Sequence, residues 1–298
     1  PHLRSGVLPP FSSEVSRRLA NEDLGCVDYV FSWLGNVDLL LAIIKLLEDR
    51  LNAEKDINEV GVQLIMLVED SVRFYSSVLP TVYKNLLKQS YESSTEALNK
   101  HEQMLRMRGR PKVMLARDYE EAMDIYRRFG SNLLGVISDV SFKRDGVKDI
   151  HAGLKLASFL RQNDPHLPII VESSDSDNSD PVMQLGCVFI DKNSKKLPVD
   201  LGAAIKDKFG FGDLVLRDPR TGSEIMRIQS LKDLQYRISD IPSEVLLHHA
   251  STDDISRWLY SRALFPIADV VKSHRFYSLD EVPAVRRLFF DLIVKYRK

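Results

Sequence analysis

Two cysteines, Cys26 and Cys187, are all the thiols this 298-residue sequence carries, too few for a disulfide framework or a thiolate zinc site. Long hydrophobic runs are missing as well. The longest, 37–47, is interrupted by Asp38 and Lys45 and falls far short of the ~20 apolar residues a membrane-crossing helix needs. No basic segment followed by an apolar stretch marks a secretion signal. There is no surplus of one charge: 41 Lys and Arg stand against 42 Asp and Glu, a net charge of -1. A protein that grips nucleic acid through its phosphates carries a basic excess or stripe. These absences argue against secretion, membrane insertion and nucleic-acid binding, and the expected setting is cytoplasmic. What remains is 44% apolar and 28% charged residues, enough for a sizeable core, in a length comfortable for two domains.

From residue 62 the pattern is regular. Nearly continuous apolar runs at 62–68, 112–116, 133–138, 167–171 and 187–190 have the character of strands buried on both faces of a parallel sheet. Between and after them lie helical periodicities over 72–108 (with Pro80 as a potential kink), 119–129, 152–162, 179–185 and 197–209. Five strands alternating with five helices predict an α/β domain over 61–208 with a doubly wound five-stranded parallel sheet. Residues 1–60 offer only a short β-rich run at 26–33 and a helix from 37, too little to bury both faces, and are expected to be the tail of an upstream module plus a linker helix. Residues 209–298 start at a Gly-punctuated hinge, Phe209-Gly-Phe-Gly212, continue through a turn-rich stretch at 218–222, and then show helical segments at 230–238, 242–250, 255–268 and 279–296. They are expected to form a mainly helical linker or appendage.

Doubly wound sheets carry their active crevice at the carboxyl ends of the strands, and there the sequence changes chemistry. The first strand ends in Glu69-Asp70, the third in Ser138-Asp139 and the fourth in Glu172-Ser173-Ser174, while Lys192 follows the fifth. Clustered carboxylates are hard oxygen ligands suited to Mg²⁺. A bound metal would let Asp139 act as a nucleophile toward a phosphoryl group, with a Ser hydroxyl and the Lys192 ammonium holding the phosphoryl oxygens. The competing explanation for the acids is capping of the following helices. For the hydroxyl, Ser173 and Ser174 compete, with register favouring Ser173. Lys192 taken alone reads as a solvated loop lysine. The segment 175–180 is a solvated loop, His101, His248 and His249 read as surface residues, and the basic cluster 106–112 as a solvated helix end. The helices over 37–57 and 72–108 are candidates for packing against another domain or in a homodimer.

In their order along the chain, Glu69-Asp70, Asp139, Ser173 and Lys192 resemble a response-regulator receiver domain with a flavodoxin-like fold. The resemblance implies Mg²⁺ held by Glu69, Asp70, Asp139 and the backbone carbonyl of Val140. It implies phosphorylation of Asp139 by a sensor histidine kinase or phosphotransfer protein, and a switch pair of Ser173 and Phe189. The sequence departs from the receiver pattern in carrying Glu-Asp for the commoner Asp-Asp, Lys143 four residues after the acceptor where Pro is frequent, and Asn193 after Lys192 where Pro is usual. Phrases at 67–77, 133–140, 209–213 and 258–265 are similar to bacterial proteins in which receiver-like modules precede a PEP/pyruvate-binding domain of the pyruvate phosphate dikinase or phosphoenolpyruvate synthase type. By that likeness the chain is the regulatory front end of a larger phosphotransferase, signalling to its C-terminal catalytic domain, and Trp33-Leu34 fills the place of a lysine in a degenerate first module. A non-phosphorylated pseudo-receiver serving as an interaction scaffold is the alternative. No turnover is expected from the segment itself.

Overall fold

The computed structural model describes residues 5–8, 28–33, 35–95, 99–274 and 276–296; Cys26, Leu34 and Leu98, on which parts of the sequence reading fall, lie outside them. The chain starts with a parallel pair, β1 (Ser5–Leu8) and β2 (Tyr29–Ser32), and a long helix, α1 (Asp38–Val60). Gly61, at φ 78°, ends that helix, its N–H on the Ile57 carbonyl and the following Val62 N–H on the Asp56 carbonyl. The main sheet follows: β3 (Leu64–Val68), helices α2 (Val72–Ser94) and α3 (Lys100–Arg108), β4 (Lys112–Ala116), α4 (Tyr119–Phe129) and β5 (Leu133–Asp139). A short antiparallel hairpin, β6 (Phe142–Arg144) and β7 (Val147–Asp149), intervenes before α5 (Ala152–Asn163), β8 (Ile169–Ser173), α6 (Ser179–Gln184), β9 (Val188–Asp191) and α7 (Leu197–Lys208).

Strands β4-β3-β5-β8-β9 form one five-stranded sheet, parallel at every pairing. Counted from β3 the spatial order is 2-1-3-4-5, the flavodoxin-like doubly wound arrangement, whose ligand crevice opens at the carboxyl ends of the central strands. The two-residue period of a strand divides its side chains between two cores. Ile65 and Leu67 of β3 pack with α1, α2 and α7, whereas Leu64, Met66 and Val68 pack with α4, α5 and α6. Glycine is required where helix or ring meets strand. A Cβ on Gly153 would stand 2.0 Å from the Asp139 carbonyl oxygen, and one on Gly135 2.2 Å from the Phe209 ring.

Differences from the sequence reading have local causes. The stretch 72–108 is two helices, and the first runs through Pro80 unbroken in assignment. The basic stretch 106–112 is not solvated: Arg106, Arg110 and Lys112 are buried. Arg110 makes a two-pronged pair with the fully buried Asp49 of α1 (2.6 and 3.0 Å), which also accepts from the Tyr83 hydroxyl and the Val113 N–H. This network fastens α1 to the start of β4, while Val37, Leu40, Ile44 and Leu51 on another side of that helix stay exposed.

Beyond α7 an antiparallel hairpin, β10 (Leu214–Arg217) and β11 (Glu224–Ile228), precedes five helices: α8 (Leu231–Arg237), α9 (Ser243–Ser251), α10 (Asp254–Tyr260), α11 (Phe265–Ser273) and α12 (Val282–Tyr296). Residues 255–268 do not form one helix, because the chain turns at Ser261–Leu264, where Ala263 takes φ 55°. That turn presents Ser261 and Arg262 to the carbonyl of Gly210, and Arg262 and the Trp258 indole N–H to that of Gly212. The Gly-punctuated stretch is thus a clamped joint, not a free hinge.

Candidate metal and phosphoacceptor site

The carboxyl edge of the sheet gathers the acids. Glu69 follows β3, its N–H still on the β4 ladder through Ala116. Asp139 ends β5, and Lys192 follows β9 with its N–H on the Ser173 carbonyl. Parallel strands in register therefore deliver side chains that are more than a hundred residues apart to one place. Lys192 extends its ammonium 2.5 Å from Glu69 Oε2 and 3.0 Å from Asp139 Oδ1, with the Phe74 ring of α2 at 4.4 Å. One carboxylate oxygen each from Glu69, Asp70 and Asp139 lie within 4.8 Å of one another, close to the ~4.2 Å span of opposed ligands around Mg²⁺.

Burial grades across the cluster. Glu69 and Lys192 side chains are 2% exposed, Asp139 14% and Asp70 19%, so Asp139 and Asp70 stand at the rim. Both Glu69 oxygens are engaged, Oε1 accepting from the Ser71 N–H and Oε2 from Lys192, with lone pairs left over. On Asp139, Oδ1 takes both Lys192 and the Val140 N–H, and Oδ2 has no hydrogen-bond partner among the described residues. Burial pushes the Glu69 carboxyl upward; the Lys192 ammonium opposes that and the charge on Asp139 adds to it. Lys192 itself loses hydration, yet Glu69 and Asp139 outweigh that loss and hold it above its ordinary value.

Ser173 is buried at the end of β8, but its hydroxyl accepts from the Asp175 N–H (3.1 Å) and the Asn178 amide (3.0 Å), not from the acidic cluster. Phe189 is half-buried on the edge strand against the α4–α6 core. The Val140 carbonyl turns away to accept the Gly153 N–H at 2.8 Å. The carbonyl near the acids is that of Ser141, which accepts from Lys148, the same ammonium that sits 2.8 Å from Asp70 Oδ2. At the two receiver-pattern departures, Lys143 lies in the β6–β7 hairpin and Asn193 ties β9 to the Ser174 carbonyl of the β8 loop at 2.7 Å.

The sequence reading passed over two groups. Glu172, in register with Asp139, is 1% exposed, and its Oε1 has no hydrogen-bond partner among the described residues. Burial raises it to about 7; Lys192 opposes that shift, and the charges on Glu69 and Asp139 add to it. Its signal was a lone acid in an otherwise apolar strand. Lys148 is the second. Four carboxyl groups, Glu69, Asp70, Asp139 and Glu172, thus face two ammonium groups, Lys148 and Lys192, a balance that suits a divalent cation.

The fold is a flavodoxin-like, doubly wound α/β sheet. It rests on the strand order and register described above. No family model matches the sequence, and no curated protein is similar to it at the level searched. Among solved structures, the chain is similar to a response regulator receiver domain protein from Clostridium thermocellum, at 18% identity and a TM-score of 0.34, over 50% of this chain and 94% of that one. Among the described residues no helix is long and apolar enough to cross a membrane.

Elsewhere, of the three histidines read as surface residues, His101 is exposed and His248 is partly buried, but His249 departs from that reading. His249 is buried, donating from Nδ1 to Asp254 (2.6 Å) while Nε2 accepts the Arg217 N–H (2.8 Å). His248 and Asp254 complete a possible ligand trio, but both His249 nitrogens are engaged. Beside it, at the amino ends of β8 and β9, lies a cleft of about 530 Å³ lined by Arg161, Arg217, His249 and Trp258.

Proposed function

We propose that the chain is a phosphoacceptor receiver module that takes a phosphoryl group onto Asp139 in the presence of Mg²⁺. The single observation that carries this is the convergence of the Glu69, Asp70 and Asp139 oxygens within 4.8 Å beside the buried Lys192 ammonium. Bound Mg²⁺ supplies charge neutralisation for a phosphoryl group approaching three acids. Glu69, Asp70 and Asp139 would hold it, with the Ser141 carbonyl, which shares Lys148 with Asp70, as a candidate main-chain ligand. Asp139 Oδ2 attacks phosphorus, the bond from phosphorus to the donor's leaving atom breaks (a histidine nitrogen in a phosphohistidine donor, an oxygen in acetyl phosphate), and an aspartyl phosphate forms. With acetyl phosphate as donor the leaving group is acetate, and no proton is consumed. Lys192 stabilises the charge on the transferred group. A Ser173 hydroxyl drawn from Asp175 and Asn178 toward the phosphoryl group, with Phe189 following, would reshape the β8 loop.

In this reading a sensor histidine kinase or phosphotransfer protein is the donor, and the unit from 209 onward passes the state to an attached PEP/pyruvate-binding catalytic domain of dikinase type. The second reading, an unphosphorylated scaffold, has one observation in its favour: Lys148 already neutralises Asp70. Intact-mass measurement after incubation with Mg²⁺ and acetyl phosphate separates the two. A phosphoryl adduct that is absent in Asp139→Asn supports the acceptor, and an unmodified wild-type chain supports the scaffold.

A further inference from the structure

The hairpin β6–β7 brings a lysine to the acidic cluster from outside the strand ends. Lys148 Nζ lies 2.8 Å from Asp70 Oδ2 and 2.6 Å from the Ser141 carbonyl oxygen. An ammonium surrounded by a carboxylate and a carbonyl sits in the same hard-oxygen surroundings a divalent ion seeks. An isolated exposed pair of this kind contributes little, so what matters is how firmly the lysine is presented.

It is presented on a braced element. At the base, Phe142 is fully buried in the α4–α6 core. Lys143 forms a bridge with Asp118, the residue that caps α4. At the tip, Asp145 and Gly146 take φ 52° and 76°, the two left-handed residues of a tight hairpin turn, and the Asp145 N–H is held by Glu120 at 3.0 Å. On the far side Asp149 is fixed by the His151 N–H and Lys155. The Lys148 backbone is therefore positioned before its side chain reaches Asp70, which removes much of the ordering cost that weakens ordinary surface pairs. The buried Glu172 carboxyl with its unpartnered oxygen, in register with Asp139, is an independent sign that the site still lacks positive charge.

We infer that Lys148 is a tethered cation that occupies the outer side of the acidic cluster and must leave Asp70 and the Ser141 carbonyl when a divalent ion enters, so that it sets the metal affinity of the site. This rests on the metal-binding role proposed for Glu69, Asp70 and Asp139. It makes the hairpin a determinant of how much Mg²⁺ the module needs before it accepts a phosphoryl group.

The test is isothermal titration of MgCl₂ into the full chain, for wild type, Lys148→Met and Lys148→Arg. Lys148 is half exposed, so neither substitution threatens the core. Lys148→Met is expected to bind Mg²⁺ about tenfold more tightly, the weight of one unit charge a few ångströms from a divalent ion in a water-like dielectric. Lys148→Arg, which keeps the charge, is expected to stay within about twofold of wild type. Equal affinities for wild type and Lys148→Met overturn the inference and leave the phosphoacceptor proposal standing. Absence of Mg²⁺ binding in both overturns the metal site itself, and the inference with it.

Discussion

Glu172 offers the most direct physical check on the site, because its effect has a sign and a pH window. The carboxyl is buried on β8 with an unpartnered oxygen, and burial raises it from 4.5 to about 7. An acid whose folded value lies above its unfolded value binds its proton more tightly when folded. Stability is then fully present below pH 4.5, is lost as the pH rises from 4.5 to about 7, and the whole penalty applies above that. At about 1.4 kcal/mol per pH unit, the interval corresponds to about 3 kcal/mol at pH 8 and about 1 kcal/mol at pH 5. Glu172→Gln keeps the shape and abolishes the charge. Urea unfolding in EDTA, which keeps the site free of metal, should therefore find the variant more stable than wild type at pH 8 by about 3 kcal/mol, with the gain shrinking by about 2 kcal/mol at pH 5. The slope of the unfolding line should be unchanged. An equal difference at both pH values would mean that Glu172 titrates as an ordinary carboxylate, and the argument from its burial would be refuted.

The other predictions probe separate parts of the molecule. Asp49→Ala strands Arg110 and the Tyr83 hydroxyl in the core and should cost about 3–5 kcal/mol, the range for removing one partner of a buried pair; a denaturant midpoint measures it. Gly153→Ala places a Cβ against the Asp139 carbonyl and should destabilise by about 1–3 kcal/mol, as overpacking does, visible as a lowered melting temperature by circular dichroism. Asp139→Asn should abolish the aspartyl phosphate, and Lys148→Met should strengthen Mg²⁺ binding about tenfold.

The sheet was legible in the sequence because a parallel strand covered on both faces needs an unbroken apolar stretch, which runs such as Leu64–Val68 and Ile169–Val171 supply. The strand order needed the alternation with helices and the handedness of their crossovers. What escaped was local. Asp145-Gly146 is a strong hairpin signal, but with only three residues in each strand the flanking alternation is too short to stand out in the sequence. The Asp49–Arg110 pair joins residues 61 positions apart, and a charged residue in a helix pattern looks solvated until its partner is known. Ser261 and Arg262 likewise read as helix, because nothing in 255–268 announces the glycine carbonyls that draw them out.

For the site, the three acids, the hydroxyl and the lysine at strand ends were readable because register places strand termini on one edge whatever the intervening lengths. Direction was harder. One residue along a strand or loop reverses what a group faces, and this explains why the carbonyl near the acids belongs to Ser141 and not Val140. The Gly153 N–H, approaching closely because that position lacks a Cβ, captures the Val140 oxygen and turns the next peptide toward Asp70 and Lys148. The same one-residue logic puts Glu172 in register with Asp139 and leaves Ser173 facing the loop that follows β8. A hydroxyl already engaged by Asp175 and Asn178 must give up two hydrogen bonds to reach a phosphoryl group on Asp139, at a cost of about 0.5–1.5 kcal/mol each. Under the proposed phosphoacceptor role, phosphorylation would have a resting state to overcome on this side, in the Ser173 contacts, and a second on the other side, in the hold of Lys148 on Asp70. The β8 loop and the β6–β7 hairpin are the two elements whose positions should change together with the charge on Asp139.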